Sequence, residues 1–161
     1  MPHPYVRNHL HLVFATKERR RFIHPSVRNE LHSYLRRVAH DYGVSIDLIG
    51  GTEDHVHILF DLPPKIALSS FVCALKAKFS KWMSEHGHLF AWQEKYGCFS
   101  VSASNLPRVK EYIAHQEEHH RRRNFLDEFN GLLRRHGIQT RAEEMFGEWA
   151  SREEAERPAA R

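Results

Sequence analysis

Hydrophobic residues follow two different periods along the first hundred positions of the chain. Segments 9–16, 44–49, 55–60 and 97–102 are short and rich in alternating, β-branched or aromatic residues, which predicts four strands. Apolar residues recur every three to four positions after Pro25 and again after Pro63 and Pro64, which predicts two helices. Gly43 follows the first of these and is expected to end it. The order β-α-β-β-α-β predicts an α+β, ferredoxin-like or RRM-like antiparallel sheet with helices on one face.

Further helices are predicted after the fourth strand. Ser104 or Asn105 caps a helix that runs to about Arg123, and another begins at Phe125 and stops at Gly137. We therefore expect one domain over residues 1–138 and a helical or frayed C-terminal extension over residues 139–161. The sheet face opposite the two crossover helices is expected to be open, and so to be the natural place for a site.

Composition narrows the class of protein. The chain has 161 residues, of which 41% are hydrophobic, so it can bury a core and is not a disordered chain. Its 2 Cys are too few for a disulfide framework or a four-thiolate zinc site. No apolar run approaches the roughly 20 residues needed to span a bilayer, and no signal peptide is evident. We expect a cytoplasmic protein without a membrane partner.

The chain has 14 His, and His-x-His occurs three times where chance predicts about one occurrence. His55 and His57 lie on the same side of the third predicted strand, so both imidazoles can converge on one cation. A similar pair on the first strand, His9 and His11, could lie beside them, but ordinary polar side chains are the simpler interpretation there. A third pair, residues 86 and 88, flanks a glycine in a loop and is expected to be solvated. A polar sheet face without function remains the alternative for the two strand pairs.

The third predicted helix carries a tyrosine with polar residues on the same stripe. Tyr112, Gln116 and His119 recur at intervals of four and three residues. An exposed tyrosine on a solvated helix face is the simpler interpretation of this spacing alone, so the stripe gains meaning only in combination with other motifs.

These motifs together resemble the IS200/IS605-type transposases, the single-tyrosine branch of the HUH (His-hydrophobic-His) enzymes, and the related REP-associated tyrosine transposases. The resemblance covers about residues 9–137 and is carried by residues 11–17 (HLVFATK), 50–59 (GGTEDHVHIL), 68–76 (LSSFVCALK) and 112–116 (YIAHQ), in that order. It identifies residues 1–138 as the transposase domain.

The resemblance implies a specific chemistry for the matched positions. His55 and His57 would bind Mg²⁺ or Mn²⁺ with Gln116 as the third ligand, and Tyr112 would be the nucleophile. The implied substrate is single-stranded DNA marked by a hairpin at the element end, which is cleaved and rejoined through a 5′-phosphotyrosine intermediate. A homodimer is also implied.

Basic side chains suited to a DNA backbone occur in three clusters, and the net charge of the chain is +4. We expect DNA contacts from Lys17, Arg19, Arg20, Arg21, Lys76, Lys78, Lys81, Arg121 and Arg122, with Trp82 available for base stacking.

Three other interpretations stay open. The strand order and charge also suit a non-catalytic RRM-like nucleic-acid-binding module, although no strand has the aromatic signature of such sheets. The C-terminal extension is compatible with a domesticated relative of the transposases. A His-rich metal-binding protein without nucleic-acid chemistry is the third.

Overall fold

The computed structural model describes residues 5–116, 118 and 124–146. The elements in chain order are β1 (His9–Thr16), α1 (Pro25–Tyr42), β2 (Ser45–Gly51), β3 (His55–Asp61), α2 (Leu68–Glu85), β4 (Trp92–Ser100), α3 (Leu106–Ala114), α4 (Phe125–Arg135) and α5 (Ala142–Phe146). Short 3₁₀ turns occupy Lys17–Arg19 and Ala103–Asn105. The β-α-β-β-α-β order with further C-terminal helices confirms the predicted α+β fold. In the described part of the chain, no helix has the length and apolarity to cross a membrane.

The four strands form one antiparallel sheet in the order β2-β3-β1-β4. β1 and β3 are the central pair, and their register places Val13 opposite His57 and His11 opposite Leu59. This register brings the polar side chains of both central strands to neighbouring positions on the same face.

Helices α1 and α2 cover the other face of the sheet and form the main core. Their apolar stripes pack onto alternate residues of β1 and β3, and the shared core includes Leu12, Phe14, Leu31, Leu35, Val56, Ile58, Phe60, Phe71, Leu75 and Phe79, none of which is exposed to solvent. The helix α1 begins at the predicted Pro25, and Gly43 ends it with a positive φ of 92°, which glycine adopts without steric cost.

The face that carries the histidines is covered, so the expectation of an open sheet face is wrong. A second hydrophobic cluster joins Val13, Ala15 and Phe99 of the sheet to the apolar stripe of α4. The members contributed by α4 are Phe125, Leu126, Phe129, Leu132 and Leu133. The reason is that α4 is strongly amphipathic and β1 carries apolar residues on both of its faces, so each buries the other.

Two elements differ in extent from their prediction. β4 begins at Trp92, five residues before the predicted start, because Trp92 pairs with Thr16 and packs its indole against Phe14 and Phe79. α3 ends at Ala114, since His115 leaves the helical region at φ −108° and ψ 32°. The predicted end of this helix, at about residue 123, lies outside the described residues. The chain is helical again at Gln116.

The start of the C-terminal extension returns to the domain. Ala142, at the beginning of α5, is fully buried, and its backbone N–H donates a hydrogen bond to the side-chain oxygen of Asn130 on α4 (2.7 Å). The domain boundary at residue 138 stays a prediction. Residues 147–161 of the extension lie outside the described residues.

Candidate active site

Two imidazoles of β3 point their Nε2 atoms into one buried space between the sheet, α3 and α4. His55 and His57 are both completely inaccessible to solvent. Nε2 of His55 lies 3.1 Å from Oε1 of Gln116, and Nε2 of His57 lies 2.8 Å from Oε1 of Glu128. Two nitrogen and two oxygen donors thus meet in a space closed off from water.

The outer nitrogen of His55 is held by a chain of polar side chains. Nδ1 of His55 donates to Oδ1 of Asp54 (2.8 Å), and the Thr52 hydroxyl donates to the same oxygen (3.0 Å). The other oxygen of Asp54 accepts from Arg19 (3.0 Å). Burial alone would lower the pKa of His55, but the hydrogen bond and charge of Asp54 outweigh it and raise that pKa. With the proton fixed at Nδ1, the lone pair of Nε2 faces the buried space.

The outer nitrogen of His57 contacts a third histidine. Nδ1 of His57 lies 2.7 Å from Nε2 of His11 on β1. Burial and the neighbouring His57 lower the pKa of His11 well below its ordinary value, so His11 is neutral and its Nε2 can accept the proton of His57 Nδ1. This arrangement leaves Nε2 of His57 directed at the buried space. His11 was expected to be an ordinary polar residue, and only the strand register reveals its position.

Tyr112 lies at the edge of this cluster. Its ring stands edge-on to His57 (centroids 5.8 Å apart) and to His11 (6.3 Å). Burial, together with the charge and hydrogen bond of Glu128, raises the pKa of its phenol, while a hydrogen bond with Gln116 opposes the rise. The phenol is therefore protonated at neutral pH and half-buried beside the two imidazoles.

Two glycines of the sheet allow the helices that carry these groups to approach closely. A β-carbon on Gly50 would lie 2.2 Å from the backbone oxygen of Ile113 in α3. A β-carbon on Gly97 would lie 2.6 Å from the ring of Phe129 in α4. Only glycine permits these contacts, so β2 and β4 fix the depth of α3 and α4 over the sheet.

Glu128 is the functional candidate that sequence reasoning missed. It is 3% exposed, and its carboxylate lies with the ligating atoms of His55 and His57 inside a group whose members are all within 4.8 Å of one another. A signal exists in the sequence, because an acidic residue interrupts the apolar stripe of α4 between Phe125 and Leu132. Imidazole nitrogens with amide and carboxylate oxygens form a suitable donor set for a divalent cation, so the residues fit the implied metal.

Two cavities flank this site. One, of about 300 Å³, lies between α3 and α4, has Tyr112 in its wall and carries Arg108 and Arg135. We call it the α3–α4 groove. The other, of about 440 Å³, adjoins Gln116 and includes His32, whose pKa is lowered to about 4 by burial and by two nearby arginines. Tyr112 thus forms part of the wall of the α3–α4 groove, while its hydroxyl oxygen is buried.

The residues expected to contact DNA occupy different environments. Arg19 does not fit that role, because it is 2% exposed, bonds Asp54 and lies over the ring of Phe125. Lys76 donates to the backbone oxygens of residues 93 and 94, and Trp82 is 7% exposed within the main core, so neither is presented to a ligand. The remaining described candidates are exposed, namely Lys17, Arg20, Arg21, Lys78 and Lys81. Arg121 and Arg122 lie outside the described residues.

Comparison with known proteins identifies relatives of this chain. The family model described as "Transposase IS200 like" matches residues 5–116. The transposase for insertion sequence element IS200 from Salmonella typhimurium is 33% identical over 115 residues, which cover 67% of this chain and 76% of the relative. The ISDra2 transposase TnpA from Deinococcus radiodurans is 27% identical over 118 residues, covering 67% of this chain and 83% of the relative.

Solved structures give the same result for the fold. A crystal structure of a protein from Deinococcus radiodurans, described as a transposase, superposes with a TM-score of 0.57 at 26% identity and covers 72% of this chain and 96% of that one. The REP-associated tyrosine transposase bound to a REP hairpin superposes with a TM-score of 0.55 at 17% identity, covering 71% of this chain and 70% of that one, and so supports the fold alone. The chain belongs to the IS200-like transposase family.

Proposed function

We propose that this transposase cleaves and rejoins single-stranded DNA with Tyr112 as its nucleophile and with a divalent metal, Mg²⁺ or Mn²⁺, bound by His55, His57 and Gln116. The observation that carries the proposal is the convergence of both Nε2 atoms on Gln116 and Glu128 beside a half-buried phenol. Such a metal polarises the phosphodiester and stabilises the charge that develops on the phosphate and on the departing oxygen.

The side chains of this protein account for the rest of the reaction. The phenolic oxygen of Tyr112 attacks phosphorus, and the bond from phosphorus to the 3′ oxygen of the upstream strand breaks. The phenolic proton ends on that departing oxygen, directly or through water, which leaves a 5′-phosphotyrosine and a free 3′-OH. The ester retains the energy of the phosphodiester bond, so attack by another 3′-OH rejoins the strands without a nucleoside triphosphate.

The α3–α4 groove beside Tyr112 supports a single-stranded substrate. The α3–α4 groove leads to Tyr112, and its volume of about 300 Å³ is at the lower end of the range for small-molecule sites. Arg108 and Arg135 at this groove supply cations for the phosphates of a strand that enters it. We further propose that a hairpin beside the cleavage site positions the strand. This part of the proposal is based on the REP-associated tyrosine transposase, whose structure was solved with a bound REP hairpin.

One chain supplies every proposed catalytic group. Tyr112 stands 5.8 Å (ring centroids) from His57 of the same chain, which supports a site formed within one chain. The homodimer that the resemblance implies is a separate proposal, which sedimentation or light scattering of the full chain would test.

The histidine face argues against the RRM-like alternative. An RRM-type sheet stacks bases on exposed aromatic side chains. Here the equivalent face is packed under α4, and Phe99 on that face is 2% exposed. Base stacking on this face would require α4 to be displaced.

The decisive experiment is a covalent-adduct assay. A single-stranded oligonucleotide that carries a hairpin from DNA flanking the chain's own gene is incubated with the full-length protein and Mn²⁺, then analysed under denaturing conditions. We expect an adduct that Tyr112→Phe abolishes and that Tyr42→Phe, a change at an exposed tyrosine, leaves unchanged. His57→Ala should abolish cleavage and leave hairpin binding largely intact. An adduct that persists in Tyr112→Phe would refute the assignment, and binding without cleavage would support a non-catalytic module.

A further inference from the structure

We propose that Glu128 of α4 is a ligand of the divalent metal, so that one chain supplies two imidazole nitrogens, one amide oxygen and one carboxylate oxygen. This inference rests on the proposed function, since it concerns the same metal centre. Glu128 lies beyond residues 5–116, the part that matches the family model, so the ligand comes from a segment outside the family pattern.

The spacing of the donor atoms fits coordination. A metal with octahedral geometry and ligands at about 2.1 Å holds adjacent ligand atoms about 3.0 Å apart. The oxygen of Glu128 is 2.8 Å from Nε2 of His57, and the oxygen of Gln116 is 3.1 Å from Nε2 of His55. Both pairs therefore have the separation of neighbouring ligands on one ion.

The surroundings hold Glu128 in this position. The N-terminus of α4 is fixed by Asn124, whose side-chain oxygen accepts from the backbone N–H of Asp127 (2.8 Å). One residue after Glu128, Phe129 rests on Gly97 and sets the distance between helix and sheet. The carboxylate thus projects toward the histidines from a backbone that is anchored on both sides.

A cation also explains why an acid is tolerated at this position. Glu128 is 3% exposed and belongs to the helix face that buries Phe125, Phe129 and Leu132. Moving a carboxylate out of water costs several kcal/mol, which a bound divalent ion offsets. Adding a carboxylate to the two imidazoles and the amide also makes the donor set harder, which favours Mg²⁺ and Mn²⁺ over softer metals.

The test measures metal binding directly on the full-length protein. Mn²⁺ is titrated by calorimetry, and bound Mn²⁺ is counted by electron paramagnetic resonance. Glu128→Leu, which continues the apolar stripe, should weaken Mn²⁺ affinity by about 10- to 100-fold or more, and Glu128→Gln, which keeps an oxygen, by less. The matched control is Asp127→Asn, which changes the same charge at an exposed neighbouring position and should bind Mn²⁺ like the wild type.

A second readout separates a ligand from a purely structural residue. Without metal, we expect Glu128→Leu to unfold at the same or a higher temperature than the wild type, because a buried charge is gone. With Mn²⁺, the wild type and Asp127→Asn should gain more thermal stability than Glu128→Leu. A folded Glu128→Leu protein that binds Mn²⁺ within threefold of the wild type would overturn the inference while leaving the proposed function intact. A wild type that binds no Mn²⁺ would overturn both.

Discussion

The contact between Gly50 and α3 makes the position of the tyrosine sensitive to a single methyl group. In Gly50→Ala the new β-carbon would lie 2.2 Å from the carbonyl oxygen of Ile113, more than 1 Å inside ordinary contact. Because that oxygen belongs to the backbone, no side-chain rotation relieves the clash, and α3 must move away by roughly 1 Å. Tyr112 directly precedes Ile113 in the same helix and moves with it. Overpacking of this kind costs about 1–3 kcal/mol, and a 1 Å displacement of a reacting group costs about 100-fold in rate.

The assay compares the initial rate of covalent-adduct formation with the free energy of unfolding for the same protein. We expect Gly50→Ala to stay folded and to form the adduct about 100-fold more slowly. Ser45→Ala, at an exposed position on the same strand, should keep the wild-type rate. Adding Ile113→Ala removes a side-chain contact of 2.8 Å but leaves the carbonyl in place, so it should not restore activity. Full rescue by that second change, or a single variant with a rate within threefold of wild type, would refute the reasoning.

Three further predictions concern the support of the site and its access route. Arg19→Met removes the cation that pairs with the buried Asp54 carboxylate. Urea titrations should show a free energy of unfolding lower by about 3–5 kcal/mol. Adding Asp54→Asn removes the buried charge and should recover much of this loss. Folding lowers the pKa of His32 from 6.5 to about 4, so protonation of His32 favours the unfolded state. The free energy of unfolding should therefore be highest above pH 6.5 and fall as the pH decreases, by about 3 kcal/mol at pH 4. Urea titrations should show that His32→Gln lacks this part of the pH dependence. The double variant Arg108→Gln, Arg135→Gln should bind single-stranded DNA more weakly. The slope of log affinity against log salt concentration should fall in magnitude by about 1.4, because two phosphate contacts are lost. An unchanged slope would exclude the α3–α4 groove as the path of the strand.

The sequence predicted the order of elements because that order depends on local patterns. Alternation identified β1 and β3. The side-by-side position of His55 and His57 followed from the two-residue period of a strand alone. The contact of His55 with Gln116 joins positions 61 residues apart. Local periodicities carry no information over such a distance, so only a resemblance to known proteins could predict this contact.

The covered histidine face was missed because the pattern of α4 shows an apolar stripe but not the surface that the stripe buries. Val13 and Ala15, both apolar and both on the histidine side of β1, were the available sign that this side needs a cover. Once α4 is placed there, Glu128 must enter the buried space, since it lies on the same stripe as Phe125 and Leu132. The position of the carboxylate therefore follows from the docking of the helix, which is a tertiary event.

Arg19 shows that a pattern of charges along the sequence has the same limit as a basis for prediction. Four cations at positions 17 and 19–21 read as one basic patch, but Glu18 and Arg19 adopt positive φ values of 55° and 50°. This uncommon backbone turns Arg19 inward to Asp54 while its neighbours Lys17 and Arg20 stay exposed. Because Asp54 in turn fixes Nδ1 of His55, the residue expected to hold DNA instead orients a proposed metal ligand. Backbone conformation, which a charge pattern does not encode, decides between these two roles.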